Sequence, residues 1–93
     1  MKTIHKFAVD PVFELSLEPR AQILSVQTQK DMPQMWVLLD PDSKEEKIVR
    51  EFRVFGTGHP MCLTAHSFIG TFQLDSGLVF HLFEDLSKGA TNE

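Results

Sequence analysis

Ninety-three residues with 42% apolar and 10% aromatic content make one globular domain with one modest core and exclude a disordered chain. Thirteen acids against nine bases leave a net charge of −4, which argues against nucleic acid as a partner, since phosphate binding asks for a basic excess. One cysteine permits no internal disulfide, no apolar run approaches the ~18 residues of a membrane span, and the first residues lack a signal-peptide core, so a cytoplasmic protein is expected.

In chain order, residues 3–9 read as a first strand, broken by Asp10-Pro11. Residues 13–17 alternate cleanly, with Phe13, Leu15 and Leu17 inward. Glu18-Pro19-Arg20 is a turn. The next strand, 22–30, is expected to turn Leu24, Val26 and Thr28 to the core. Lys30-Asp31 is a tight-turn candidate, and Pro33 holds the start of the following strand at an edge or bulge. Residues 35–39, Met-Trp-Val-Leu-Leu, are apolar on both faces and predict a central strand. The charged stretch 40–47 reads as a solvated hairpin tip.

A long strand follows over 48–55, with Phe52 and Val54 on one side and Glu51, Arg53 and Phe55 on the other. Gly56, Gly58 and Pro60 stop it and predict an irregular corner. Residues 61–67 read as irregular chain or a single helical turn. Over 68–74 the alternation resumes, with Phe68, Gly70, Phe72 and Leu74 sharing a face. Asp75-Ser76-Gly77 is a three-residue hairpin loop. The last strand, 78–83, directs Leu78, Phe80 and Leu82 inward and Val79, His81 and Phe83 to the reverse. The pattern predicts a single domain over 1–86 with a flexible tail over 87–93. About seven short strands and at most one short helix mean an all-β fold, a small antiparallel sandwich or barrel. Trp36 with Leu38, Val49 with Phe55, and Val79 with Phe83 leave apolar groups on second faces, which predicts a homo-oligomer.

Four constellations could carry chemistry. At the 56–60 corner, Gly56 and Gly58 let backbone amides converge on an anion, Thr57 adds a hydroxyl, and His59 can donate or stack. Arg53 reaches from the strand below, and Trp36 offers a second ring for a base. The plain alternative is a bulge or wide turn whose glycines serve shape alone. His59, Cys62 and His66 give H-x2-C-x3-H, a zinc-like spacing to which His81 could add a nitrogen, and the basis of a metal-dependent hydrolase reading. Against it, there is one cysteine and no paired C-x2-C. Cys62 with His59 or His66 supplies a thiol and a base but no elbow to set their geometry. Glu84, Asp85, Asp40 and Asp42 read as solvated carboxylates. No cofactor is implied and no catalytic group is evident, so a binding role is expected.

Trp36-Val37-Leu38-Leu39-Asp40-Pro41, the GTGHP block after Phe55, the FIGTFQ block from Phe68, and Val79-Phe80-His81-Leu82-Phe83-Glu84 resemble an uncharacterised family of phage and prophage proteins of about this length. The resemblance runs nearly to Glu84. It implies an accessory protein working in the host cytoplasm on host machinery or defences. One such role is sequestration of a small anionic or nucleotide ligand by a homo-oligomer; inhibition of a host protein, or an adaptor role on it, is the alternative.

Overall fold

Strands form where the side chains alternate and stop where Pro, Gly or positive-φ residues interrupt the ladder. The computed structural model describes residues 1–87. Seven strands run in order: β1 (Thr3–Ala8), β2 (Val12–Leu17), β3 (Gln22–Gln29), β4 (Met32–Leu39), β5 (Ile48–Gly56), β6 (His66–Gln73) and β7 (Val79–Asp85). Every pairing is antiparallel, and no described residue is helical, so no helix among them could cross a membrane. Of residues 61–67, read as irregular chain or one helical turn, 61–65 are irregular and 66–67 open β6. The tail expected from 87 onward begins with Ser87, whose hydroxyl bonds the chain at Thr64 and Ala65; the rest of it, 88–93, lies outside the described residues.

The strands divide into a three-stranded sheet, β1-β4-β3, and a four-stranded sheet, β2-β5-β7-β6. The two pack as a small sandwich. β4 is central, as its apolar run predicts. Its partner strand turns back through Lys30 and Asp31, both at positive φ (53° and 64°), the conformation of a two-residue type I′ turn. The predicted loop Asp75-Ser76-Gly77 closes the β6–β7 hairpin, with Gly77 at φ +96°. Residues 40–47, expected as a hairpin tip, instead cross from β4 in one sheet to β5 in the other. Local charge alternation cannot tell a hairpin from a crossover.

Between the sheets lie Met35, Val37, Phe52 and Leu82, none with accessible surface, and Phe13 stacks on Phe52 at 5.0 Å. Each contributes about 1.5–3 kcal/mol by leaving water. Two expectations about this core fail for one reason. Leu24 and Phe68 face outward, 41% and 58% exposed. In β3 the register skips from Ile23 to Ser25, and in β6 from Phe68 to Gly70, so Leu24 and Ile69 are bulge residues. Each bulge reverses the alternation on one side of itself, which puts Ile23 with Val26 on the core side. Leu78, also read as inward, precedes β7 and is exposed.

The bulged strands β3 and β6 are the edges of their sheets and approach one another with no ladder between them. Contact is tightest at Gly70, where a Cβ would stand 2.8 Å from Val26 Cγ1. The seam opens beyond that point into a cleft of about 440 Å³, lined by Arg20, Gln22, Ile23, Ser67 and Ile69 among others. At its base Glu84, read as a solvated carboxylate, is buried. Its two oxygens accept from Arg50 Nε and Nη2 at 2.8 Å each, and Arg50 Nη1 donates to the Ala21 carbonyl at 2.7 Å. This fork ties β5 and β7 to the chain entering β3. Its charges are compensated, so it reads as structure.

Candidate binding surface on the four-stranded sheet

The outer face of the four-stranded sheet is a grid set by the ladder register. Val12, Arg53, Phe83 and Phe68 form one row across β2, β5, β7 and β6. Phe55, His81 and Thr71 form the row above, and Glu14, Glu51, Asp85 and His66 the row below. Phe83 is the hub. Phe55 meets it edge-on at 6.0 Å, His66 edge-on at 5.2 Å and Phe68 tilted at 5.3 Å. These are favourable aromatic geometries, each worth about 0.5–1.5 kcal/mol beyond area burial. Among the described residues, nothing forms a second layer over the cluster, and Phe68 is 58% exposed.

The glycine corner sits at the upper rim of this face. The His59 amide donates to the Gly56 carbonyl at 3.1 Å, and Gly58 at φ +87° takes the position of a type II turn that favours glycine. His59 folds back on Gly56, where an added Cβ would lie 2.8 Å from its Nδ1. Thr57 is tied down twice. Its amide donates to the Val79 carbonyl at 3.3 Å, and its Oγ1 lies 2.8 Å from His81 Nε2. Thr71 Oγ1 lies 2.9 Å from His81 Nδ1. The Thr57 hydroxyl also lies 3.4 Å from the Val79 carbonyl, and the tautomer of His81 sets which member of each threonine–imidazole pair donates. His81 thus braces the corner against β6. Alternation alone puts His81 on this face, but nothing in the chain order shows that Thr57 and Thr71 flank it.

The predicted site residues are only partly assembled. Gly56, Thr57, Gly58 and His59 lie along one rim, and Arg53 stands on the same face with the Phe55 row between. Trp36 is not with them. Its neighbours Met35 and Val37 are fully buried, so Trp36 faces outward from the three-stranded sheet, on the opposite side of the sandwich from Arg53. Arg53 is also engaged. Its Nε lies 3.7 Å from Asp85 Oδ2, close enough for charge pairing and too far for a hydrogen bond, and this buried nitrogen has no other hydrogen-bond partner. Among the described residues, none of 56–60 lines the cleft at Ile23 and Ser67, the cleft at Asp40, the Ile4/Trp36 depression or the hollow at Val9 and Phe80.

The metal spacing is not realised. His59 turns onto Gly56, Cys62 is exposed, and His66 packs on Phe83. Among the described residues, no three His, Cys, Asp or Glu side chains come together to hold a metal ion. The chain spacing was compatible with a ligand set, but residue 66 begins a strand and is carried away from the loop. On the far side, Asp40 caps a cleft of about 280 Å³ between β1 and β2. The Asp42 amide, 3.0 Å from Oδ1, holds the Asp40 carboxyl below the usual carboxylate range, aided by the N-terminal ammonium, which it pushes upward in turn.

The chain matches no curated protein and no solved structure. One family model does match, and it covers residues 1–93 in full: the chain belongs to the family described as Domain of unknown function (DUF7352).

Proposed function

We propose that the protein is a small non-catalytic binding protein that works as a homo-oligomer, with the outer face of the four-stranded sheet as a working surface. The observation that carries the proposal is the uncovered aromatic cluster about Phe83, with Phe68 58% exposed beside it. Uncovered rings on a flat sheet face cost solvation free energy that a second layer removes. The 56–60 corner borders this face and, among the described residues, lines none of the clefts named above. A second copy laid on the face would roof the corner and turn an open rim into a pocket. Sequestration of a small anionic or nucleotide ligand, in the manner of a phage accessory protein directed at host defence, then takes place between copies. The loop amides, Thr57 and His59 would meet the ligand. Docking of a host protein on the same rings is the competing reading.

Light scattering across a range of concentrations, followed by thermal shift with nucleotides and cyclic dinucleotides, tests this. The expected result is an assembly larger than the 10.6 kDa chain. A ligand at a hundredfold its Kd adds about 2.7 kcal/mol, a rise in Tm of roughly 10–20 °C for a domain of this size. A monomer at every concentration refutes self-association, and no shift with any nucleotide refutes the ligand.

A further inference from the structure

The two outer faces of the sandwich differ in charge. On the four-stranded sheet Asp85, its side chain 4% exposed, is paired with Arg53, so Glu14 and Glu51 carry the net charge of that face, minus two with histidines neutral. On the three-stranded sheet the register turns Ile4, Lys6, Trp36 and Leu38 outward together with glutamines, and no carboxylate, which leaves plus one. That second face is also apolar at its centre. Ile4, Leu24 and Trp36, with Ser25 and Gln27, line a shallow depression of about 290 Å³. Ile4 is 56% exposed and Leu24 is held out by its bulge. One face therefore presents projecting rings in an acidic surround, and the other an apolar hollow beside a lysine.

Resting on the self-association proposed above, we infer that copies associate head to tail, the four-stranded face of one on the three-stranded face of the next, with Phe68 seated in the Ile4/Leu24/Trp36 hollow. Charge selects this pairing. Two four-stranded faces laid together would oppose two net-negative surfaces carrying Glu14 and Glu51, and two three-stranded faces would oppose two net-positive ones carrying Lys6. The unlike faces bring Lys6 toward the acidic row and give each apolar centre a partner. Size permits it: the broad side of the molecule measures 42 × 30 Å, more than the ~800 Å² per partner of a standard interface. A head-to-tail contact repeats, so it closes into a ring or extends as a filament.

Two variants on exposed positions separate the possibilities. Ile4→Glu puts an acid on the three-stranded face, and Val49→Lys, at a residue 57% exposed, puts a cation on the four-stranded face. Each weakens association about tenfold or more by setting a charge against the like-charged face of the neighbouring copy. Light scattering is read for each variant alone and for an equimolar mixture, with unchanged circular dichroism confirming the fold and Leu24→Glu as a second variant of the first face. The expected result is that each alone is monomeric while the mixture forms a 1:1 dimer through its two intact faces. Wild-type assembly that survives either variant alone, or a mixture that stays monomeric, overturns the head-to-tail inference and leaves self-association standing. A wild-type monomer overturns both and leaves the faces to a different protein.

Discussion

Gly70→Ala tests the account of the seam between β3 and β6. The new Cβ would lie 2.8 Å from Val26 Cγ1, and ordinary contact begins at 3.4 Å, so the two must part by about 0.6 Å. Val26 cannot yield cheaply. It is buried, its β-branched side chain has few rotamers, and it packs beside the fully buried Met35, its register neighbour on β4. Overpacking of this kind costs about 1–3 kcal/mol. In a domain of this size each kcal/mol lowers Tm by about 4–8 °C. Val26→Ala alone removes two methyl-sized groups, at about 0.8 kcal/mol each, and adds a cavity term. With Val26→Ala in place, the obstructing Cγ1 is gone and the methyl added at position 70 has room. There the Gly70→Ala substitution is neutral, or gains up to about 1 kcal/mol by restricting the unfolded chain. Urea unfolding of the wild type, both single variants and the double variant gives the coupling, expected at about 2 kcal/mol in favour of the double variant. If Gly70→Ala costs the same in both backgrounds, or costs nothing beside Val26, the close approach of the two edges is not what requires glycine.

Glu84→Gln leaves the Arg50 guanidinium without its counter-ion in a site where both side chains are mostly buried, and is expected to cost about 3 kcal/mol by urea unfolding. A loss under about 1 kcal/mol would mean the fork is solvated. Thr57→Val removes the oxygen that meets His81 Nε2. It is expected to cost about 1 kcal/mol or less and to shift the His81 ring resonances, while Thr57→Ser restores them. Unmoved ring resonances in Thr57→Val would show that His81 does not brace the corner.

The strands themselves were legible because alternation, Pro, Gly and turn residues act over a few positions. Phe52 and Val54 read as sharing one side of their strand and Arg53 and Phe55 the other, and so they do, with the core on the Phe52 side. The His81 face of β7 was legible for the same reason. What failed was non-local. Leu24 is itself a bulge residue and Phe68 lies beside the bulge at Ile69, so the local period breaks in each strand, and the bulges occur where two sheet edges meet at Gly70 and Val26. Trp36 and Arg53 read as parts of one site, but nothing along the chain says that their two faces are opposite sides of a sandwich.

Glu84 read as surface because its partner Arg50 is 34 residues away. The order of residues was thus enough to say which segments are strands, where they turn, and that more apolar surface exists than one core absorbs. Folding was needed to settle which strands are neighbours and where that surplus lies, and so which charges surround it. The physical reason is range: side-chain alternation and turn chemistry are properties of adjacent residues, whereas sheet order, bulges and ion pairing are settled only when distant edges compete for the same space.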